Sequence, residues 1–339
     1  RAALFYANQS ISVQDVPEPK INADEALLRV EACGVCGTDL RIQSGDFLAE
    51  CYPVLPGHEI AARVEAVGDE VSNVRPGDLV AVNPNMACGQ CYACLRGKPH
   101  LCPEMRAIGV QLPGGFAEKL AAPARQLLVM PVNFPPEATA LLEPTSCCLH
   151  GIDQAGLTPG DPTVITGGGS IGLILLQIAK HAGAAPLVLV EPIERKRQLA
   201  ETLGADATID PSSLSAETLA RRVRELTDGG AQVVIEASGH PASAATVLDL
   251  VRSGGTVLFF GVQAPQFELD IKPFDIYHRE LTITGAYTNP LTDSRARSLL
   301  VTGRVQVLPL ITHRYALDNI ASALEAVRRG ETVKAVVIP

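Results

Sequence analysis

The sequence predicts a two-domain α/β protein in which a small β-barrel is followed by a doubly wound parallel sheet. Two observations predict this fold class. Residues 1 to about 82 contain short apolar runs separated by turn residues, whereas from about residue 144 such runs alternate with segments of helical length. The chain has 339 residues, 47% hydrophobic and 19% charged, which is enough apolar material for two cores.

The first part of the chain has the pattern of a small barrel. Pro76 and Gly77 suit the centre of a type II turn before the last of its strands. Residues 37–42 can begin a short helix, which Thr38 or Asp39 could cap. The predicted strands are at residues 4–6, 25–31, 60–67 and 79–82.

The second part predicts a parallel sheet, because strands that alternate with helices need crossover connections. The tail adds helices at 293–303 and 318–330 and a strand at 333–338, and we expect it to return to the first domain. The predicted strands of the sheet are at residues 163–166, 187–190, 207–209, 232–237, 256–261 and 281–284, and its helices are at 173–181, 194–203, 213–227 and 241–251.

Charge and hydropathy exclude several classes of partner. The formal net charge is −9, and lysines and arginines are scattered, so the sequence predicts no nucleic-acid partner and no binding to an anionic membrane surface. Residues 1–13 contain no apolar run of signal-peptide length, and no segment approaches the 18 or so apolar residues of a membrane span. We therefore expect a cytoplasmic protein.

Four of the nine cysteines have the spacing of a metal site. An odd count in a long chain without a signal peptide argues against a disulfide framework. Cys88, Cys91, Cys94 and Cys102 lie in a lobe at about 86–103, and four thiolates in one loop suit tetrahedral structural zinc. An iron–sulfur cluster is the alternative, but the last gap is seven residues rather than the three typical of ferredoxins. A third possibility is that these four thiols bind no metal.

His58 and Glu59 are a second candidate for zinc. A neutral imidazole and a carboxylate can both ligate zinc, and a catalytic site needs three protein ligands and one open position. The pair by itself is weak evidence. Ala62 stands where the second histidine of the helical metalloprotease motif would be, so that chemistry is not indicated.

A glycine-rich turn predicts a dinucleotide site. Residues 167–172 read G-x-G-x-x-G between a predicted strand and a predicted helix. Glu191 ends the next strand, 19 residues after Gly172, where a carboxylate can accept hydrogen bonds from both ribose hydroxyls of NAD and would repel a 2′-phosphate. We therefore favour NAD over NADP, although Arg195 and Arg197 follow closely. The residues expected to bind the cofactor here are Gly167, Gly169, Ser170, Ile171, Gly172 and Glu191.

Other cofactor contacts are expected where later strands end. In a doubly wound sheet, ligands bind at the carboxyl ends of the strands. The sequence places Ser238 after the fourth strand, and Gly261 and Val262 after the fifth. We expect these three residues to complete the NAD site.

Six motifs occur in one order along the chain and together resemble the zinc-dependent medium-chain dehydrogenase/reductases. This resemblance, which extends from end to end, implies a GroES-like catalytic domain at 1–143, a Rossmann NAD-binding domain at 144–284 and a return to the catalytic domain at 285–339. The motifs are Cys36-Gly37-Thr38-Asp39, Gly57-His58-Glu59, the four-cysteine lobe, Gly114-Gly115-Phe116-Ala117-Glu118, Leu142-Glu143-Pro144 and the glycine turn.

The resemblance also implies roles at a catalytic zinc. Cys36 and His58 look like fixed ligands, and Glu59 and Glu143 compete for the last position. Because relatives of the alcohol branch carry cysteine where this chain has Glu143, the chain looks like the sorbitol, butanediol and threonine dehydrogenase branch. Asp39 resembles a group that orients His58, although a helix cap is an equal reading. Thr38 resembles the hydroxyl that passes the substrate proton outward.

The implied function is reversible oxidation of a secondary hydroxyl of a polyol, sugar alcohol or diol, with zinc as Lewis acid and NAD as hydride acceptor.

Arg41 departs from the family pattern, because many relatives have at this position a histidine that ends a proton relay. Arginine cannot release a proton near neutral pH, but Arg41 could instead bind an anionic group of the substrate. Tyr287 stands near where sorbitol dehydrogenase has an arginine, which weakens the case for sorbitol itself.

Two alternatives stay open at this point. An amino-alcohol or sugar-phosphate dehydrogenase would use the same scaffold, and a non-catalytic sensor would keep zinc and NAD without turnover. The resemblance also implies a homodimer or homotetramer.

Overall fold

The computed structural model describes residues 1–47 and 51–339. Seventeen strands lie in these two ranges. They are β1 Ala2–Phe5, β2 Ile11–Gln14, β3 Glu25–Gly34, β4 Glu59–Val67, β5 Leu79–Val82, β6 Asn85–Met86, β7 Arg106–Ala107, β8 Lys119–Pro123, β9 Leu127–Val129, β10 Thr163–Thr166, β11 Leu187–Val190, β12 Ala207–Ile209, β13 Ala231–Glu236, β14 Val251–Phe259, β15 Thr282–Gly285, β16 Ile311–Ala316 and β17 Lys334–Ile338.

The described residues also contain twelve α-helices and several short 3₁₀ turns. The three longest helices are α4, α5 and α7, with 14, 13 and 11 residues. The helices are α1 Gly37–Ser44, α2 Tyr92–Leu95, α3 Pro136–Ala140, α4 Leu142–Ala155, α5 Ser170–Ala182, α6 Glu194–Leu203, α7 Ala216–Leu226, α8 Pro241–Ala244, α9 Val247–Leu250, α10 Pro273–Arg279, α11 Asp293–Val301 and α12 Ile320–Arg328.

The chain forms two compact units. The first comprises Arg1–Ser146, Asn289–Thr302 and Val307–Pro339, and the second comprises Cys147–Thr288 and Gly303–Gln306. Along the chain, the first boundary between the two units lies inside the continuous helix α4, a few residues after the expected domain boundary at residue 143. Because the helix continues across this boundary, no turn or linker residues mark the boundary in the sequence. The expected functional division at 143 and 284 stays a prediction.

A seven-stranded sheet organises the first unit. Its order is β16-β17-β3-β4-β5-β9, and β8 pairs with the opposite end of β3. The C-terminal strand β17 lies antiparallel to β3, with Val337 opposite Cys33, so the end of the chain is part of this sheet. Alternate residues of β3, such as Leu28 and Val30, are buried in an apolar core with Phe5 and Phe116.

The second unit contains a parallel sheet of six strands. Its order is β12-β11-β10-β13-β14-β15, which is the doubly wound order 3-2-1-4-5-6 counted from β10. β10 and β11 are buried along their whole length, because helices cover both faces of such a sheet. The predicted fold class is confirmed.

The secondary structure contains several short elements that were not predicted, among them β2, β8, β9 and α10, and other segments also differ from the prediction. Residues 241–251 form two short helices, since Thr246 N–H donates to Ser243 O at 3.0 Å, a tighter i to i−3 bond than an α-helix makes. Helix α1 has Cys36 as its N-cap rather than Thr38 or Asp39. Strand β16 was not predicted, because its sequence ITHRYA lacks a continuous apolar run.

No helix in the described part of the chain is both long and apolar enough to cross a membrane.

Candidate metal centres and dinucleotide site

The first candidate metal centre lies where β3, α1 and β4 meet. Cys36 caps α1 directly after β3, and Glu59 begins β4 with Gly34 of β3 opposite it. One ligand atom from each of Cys36, His58 and Glu59 lies within 4.8 Å of the other two. Strand pairing therefore brings together side chains more than 20 positions apart in the sequence.

Asp39 lies beside His58 and also completes the start of α1. Its Oδ2 accepts a hydrogen bond from the backbone N–H of Cys36 at 2.8 Å, whereas its Oδ1 lies 3.6 Å from His58 Nδ1. Both Oδ1 and Nδ1 are buried without a hydrogen-bond partner among the described residues. The two roles that the sequence left open for Asp39 are thus compatible, because one oxygen closes the capping box and the other faces the imidazole.

The pKa of His58 depends on its burial and on two neighbouring acids. Burial lowers it, but Cys36 and Asp39 raise it, so that it lies well above the ordinary value for histidine. A divalent cation would stabilise the same arrangement with the imidazole neutral and both acids ionised.

Glu59 contributes a carboxylate that is almost fully buried. Its Oε1 accepts a hydrogen bond from Lys334 Nζ at 2.6 Å. Oε2 lies 2.5 Å from the same nitrogen and has no hydrogen-bond partner among the described residues. A Cβ on Gly34 would lie 1.9 Å from Oε2, so any larger residue there would displace the carboxylate from its present position. A buried oxygen of this kind suits a metal ligand.

Two further residues of the predicted catalytic set lie in the same unit. Thr38 Oγ1 is 3.8 Å from the Cys36 sulfur. Glu143 is buried in the first turn of α4. It is not among the three side chains whose ligand atoms converge. Of the two carboxylates that the sequence left in competition, the structure brings Glu59 to Cys36 and His58.

The four-cysteine lobe forms the second candidate metal centre. The ligand sulfurs of all four residues lie within 4.8 Å of one another. Cys91 is the N-cap of the short helix α2, and the paired strands β6 and β7 hold the two ends of the lobe together. The sulfurs that converge belong to Cys88, Cys91, Cys94 and Cys102.

The thiols of this lobe are unequal without a cation. The backbone N–H groups of Gln90 and Cys91 lower the pKa of Cys88 to about 7, whereas burial and the thiol of Cys91 raise the pKa of Cys94 to about 12. A tetrahedral divalent cation would stabilise all four as thiolates, and no disulfide links them in the structure. These residues fit structural zinc.

The glycine turn of the second unit has the shape of a dinucleotide site. Gly167 has φ +99° and follows β10, and a Cβ on Gly172 would lie 1.8 Å from Gly167 O. The conformation and packing of the turn therefore require glycine at both positions, whether or not a ligand is bound. Around Gly169, the N-cap of α5, a Cβ would meet only open space. The helix N-terminus, with Ser170 and Ile171 in its first turn, therefore leaves room for a diphosphate.

Glu191 lies next to this turn, directly after β11. Its Oε2 accepts a hydrogen bond from Gly168 N–H at 2.5 Å, and its Oε1 accepts one from Ile193 N–H at 2.9 Å. Each oxygen keeps a lone pair for a further donor, such as a ribose hydroxyl. Arg197 donates to the carbonyl oxygens of Glu191 and Pro192 at 2.8 and 2.7 Å, so its guanidinium is held by the protein.

The ends of the later strands meet the glycine turn at the same sheet edge. A Cβ on Gly167 would lie 2.8 Å from Ser238 Cα, and a Cβ on Gly261 would lie 2.3 Å from Gly239 N. Ser238 donates from both its backbone N–H and its hydroxyl to the fully buried Glu236, which the sequence did not single out. Val262 is 73% exposed. The structure thus brings the predicted cofactor residues together.

Two glycine variants separate cofactor binding from folding. Gly169→Ala is expected to weaken NAD binding by about tenfold or more, because the added methyl occupies the space left for the diphosphate, while stability changes by less than about 1 kcal/mol. Gly172→Ala is the matched variant, and its Cβ collides with Gly167 O. We expect it to lower the melting temperature. Calorimetry of NAD binding and thermal unfolding check both, and equal effects of the two variants would contradict this assignment.

A doubly wound sheet with a glycine turn, in one chain with two sulfur-containing zinc sites, defines the class of the protein as a dehydrogenase that uses zinc and a nicotinamide dinucleotide. Comparison with known families agrees. Residues 22–132 match the family described as "Alcohol dehydrogenase GroES-like domain", and residues 170–299 match "Zinc-binding dehydrogenase". The chain belongs to the zinc-dependent medium-chain alcohol dehydrogenase family.

Known proteins of the same family match the chain along nearly its whole length. It is 34% identical to D-arabinitol dehydrogenase 1 of Uromyces fabae, with 99% of this chain and 97% of the relative covered. It is 35% identical to L-threonine 3-dehydrogenase of Pyrococcus furiosus, with 95% and 92% covered. A solved zinc-binding dehydrogenase from Sinorhizobium meliloti 1021, bound to NADP, has 37% identity and a TM-score of 0.93 over 99% of each chain.

The expected family, enzyme class and cofactors are confirmed: the protein is an alcohol dehydrogenase that uses zinc and NAD(P). Sequence reasoning missed two residues of the first metal centre, Gly34 and Lys334. A lysine within the apolar run VKAVVI was the available signal for Lys334. No sequence signal indicated Gly34, because its role depends on which residue β4 places opposite it.

Proposed function

We propose that the protein reversibly oxidises a secondary hydroxyl of a polyol, sugar alcohol or diol to the ketone, with NAD as the preferred hydride acceptor. The observation that carries the proposal is the convergence of Cys36, His58 and Glu59 in a chain that also has the dinucleotide turn. The relatives are named for D-arabinitol, which is a sugar alcohol, and for position 3 of L-threonine, which carries a secondary hydroxyl, and both names support this substrate class.

The residues of the first metal centre have distinct roles in this proposal. Cys36, His58 and Glu59 hold the catalytic zinc, and Asp39 orients His58. When bound, zinc would supply a Lewis acid for the substrate hydroxyl, and a nicotinamide dinucleotide would supply the hydride acceptor. Thr38, beside the Cys36 sulfur, passes the substrate proton outward, accepting it as it releases its own hydroxyl proton. Glu143 is a buried carboxylate that we assign to proton transfer or to exchange with Glu59.

The cofactor residues act through backbone groups and one carboxylate. The turn from Gly167 to Gly172 binds the diphosphate at the N-terminus of α5, and Glu191 accepts hydrogen bonds from the ribose. Ser238, Gly261 and Val262 would complete the cofactor site at the edge of the sheet. The four cysteines of the lobe hold a structural zinc.

One observation favours a second candidate, oxidation of an alcohol that carries an anionic group. Arg41 is partly buried on α1, one helical turn after Thr38, so the two side chains share a face. Among residues 1–47 and 51–339 its guanidinium has no hydrogen-bond or ion-pair partner. An arginine that cannot release a proton does not complete a relay, but it can bind a carboxylate or phosphate.

Substrate screening distinguishes the two candidates. NADH production is measured with zinc-loaded enzyme across polyols, diols, sugar phosphates and amino alcohols that include threonine, with a chelator-treated control for each. A chelator-sensitive signal confined to neutral polyols and diols supports the main proposal, and one confined to anionic substrates supports the second. Bound NADH without turnover of any substrate would instead indicate a non-catalytic sensor.

Glu191 is expected to determine the preference for NAD. Glu191→Ala should weaken NAD binding about tenfold and reduce the ratio of NAD to NADP efficiency, because the ribose hydroxyls lose their acceptor and the 2′-phosphate loses a repulsive neighbour. Kcat/KM with each cofactor checks this.

The control for Glu191 is Glu194→Ala, three residues further on. Glu194 is exposed in the first turn of α6 and accepts from Gln198, so its loss should leave cofactor selectivity unchanged. Unchanged selectivity in the Glu191 variant would show that another residue chooses the cofactor. Because the Sinorhizobium relative was solved with NADP, this comparison is a direct test of the preference.

We also propose a homodimer or homotetramer in the cytoplasm. Strand β15 at the edge of the second sheet pairs on one side only, with β14, among the described residues. Nearby helix α10 presents Phe274 and Tyr277, which are 66% and 80% exposed. Nine free cysteines are also typical of a protein from a reducing compartment. Light scattering of the zinc-loaded protein would measure the assembly.

A further inference from the structure

Glu236 is a fully buried carboxylate at the cofactor edge of the second sheet. It is the last residue of β13, and it is 0% exposed. Its Oε1 accepts hydrogen bonds from the backbone N–H of Ser238 at 3.0 Å and from the hydroxyl of the same residue. Its Oε2 accepts from the backbone N–H of Gly239 and from Gln263 Nε2, both at 3.2 Å. Donors therefore cover both oxygens.

The partners of this carboxylate stabilise its charge without neutralising it. Within residues 1–47 and 51–339 they are backbone N–H groups, a hydroxyl and an amide, and none of them is a cation. Hydrogen bonds from N–H groups favour the ionised form of a carboxylate, and three N–H groups reach Glu236. Because neither a counterion nor bulk water screens the buried charge, its electrostatic field extends into the neighbouring site.

The charge lies on the side of the glycine turn that is away from Glu191. In the order β12-β11-β10-β13-β14-β15, Glu191 follows β11, the turn follows β10 and Glu236 ends β13. The proposed cofactor site assigns the adenosine ribose to Glu191 and the diphosphate to the turn, and an extended dinucleotide continues in the same direction across the strand ends. The nicotinamide half is therefore expected towards β13 and β14.

The two redox states of the cofactor differ in charge in this half. The nicotinamide ring is a cation in NAD and neutral in NADH, whereas both ribose groups and the diphosphate are the same in the two forms. A fixed negative charge near the ring stabilises bound NAD relative to bound NADH. Repulsion between Glu236 and the diphosphate acts on both forms and cancels from the comparison.

We propose that Glu236 is a positioning residue that sets the balance between the two redox states of the bound cofactor, because its buried charge favours NAD and promotes the release of NADH. The inference rests on the proposed cofactor site. Since Glu236 is fully buried, it acts through its field and through the two loops that it joins. These loops contain Ser238 and Gly239 on one side and Gln263 on the other.

The test measures the affinities of NAD, NADH and ADP-ribose for the full-length, zinc-loaded protein. Calorimetry gives the dissociation constant of each ligand, and NADH fluorescence gives a second measurement for the reduced cofactor. ADP-ribose lacks the nicotinamide ring, so it reports changes in the rest of the site. The first variant is Glu236→Gln, which removes the charge and keeps the length of the side chain.

In Glu236→Gln the affinity for NAD relative to NADH should fall about fivefold, because the cationic ring loses a favourable field. This change corresponds to a rise of about 20 mV in the midpoint potential of the bound couple. The ratio of NADH affinity to ADP-ribose affinity should keep its wild-type value. A carboxylate that only holds the two loops would instead weaken all three ligands together and leave both ratios unchanged.

A second variant neutralises the charge without removing the carboxylate. Gln263 Nε2 already lies 3.2 Å from Glu236 Oε2, so the ammonium of Gln263→Lys can pair with this oxygen. Gln263→Lys should shift the ratio of NAD to NADH affinity in the same direction as Glu236→Gln, whereas the neutral control Gln263→Met should not. Glu194→Gln removes an exposed carboxylate from the same unit and should also leave the ratio unchanged.

Two results would overturn the proposal: a wild-type ratio of NAD to NADH affinity in Glu236→Gln, or a shift in Gln263→Lys that Gln263→Met reproduces. If Glu236→Gln does not fold, the two Gln263 variants decide the question. If the wild-type chain binds none of the three ligands, the proposed cofactor site fails together with the inference. If it binds them and neutralising the charge leaves the ratio unchanged, only the inference about Glu236 fails.

Discussion

Replacing Cys36 by serine is expected to lower kcat/KM about a thousandfold or more, while NAD binding stays near normal. A cysteine thiol is more acidic than a serine hydroxyl, and its thiolate is a softer ligand for zinc. After the replacement, only His58 and Glu59 of the three converging residues are left to bind the metal. The loss of zinc removes several kcal/mol of transition-state stabilisation. The NAD residues lie in the second unit, which this change does not touch.

Three measurements check the result together. Steady-state NADH production gives kcat/KM, calorimetry gives NAD affinity, and elemental analysis should find one zinc per chain instead of two. His58→Ala should behave in the same way. Cys51→Ser is the control, because Cys51 is exposed and belongs to neither cluster. Full activity in either the Cys36 or the His58 variant would refute the catalytic zinc site.

Replacing Cys91 by serine is expected to lower the melting temperature by about 10 °C or more before it affects turnover. Structural zinc contributes directly to folding, and the lobe is short of other support. Tyr92, Leu95 and Leu101 in the lobe are 80%, 75% and 52% exposed, so apolar burial does not replace the metal. The two-residue strands β6 and β7 add few hydrogen bonds.

Thermal unfolding with and without a chelator measures this effect, and the Cys51 variant again controls for the loss of a thiol. Activity is measured well below the melting temperature, where residual turnover should persist. A Cys91 variant that loses turnover with its melting temperature intact would show that the lobe is catalytic rather than structural.

The sequence by itself determined the features that depend on local spacing. The six motifs, the four-cysteine lobe and the glycine turn were readable because each lies within about 15 residues, and β10, β11 and α6 were predicted with the bounds that the structure has. Hydrophobic period and turn residues are local signals, so they survive without tertiary information. The fold class and the cofactors followed from them.

Tertiary structure decided which separated residues share a site. Glu59 and Glu143 are both buried, and no spacing rule could choose between them, but pairing of β3 with β4 brings Glu59 to Cys36. Lys334 is 275 residues from its carboxylate partner, and only the return of β17 beside β3 puts them in contact. Strand pairing is a long-range interaction, and local sequence patterns do not encode its register.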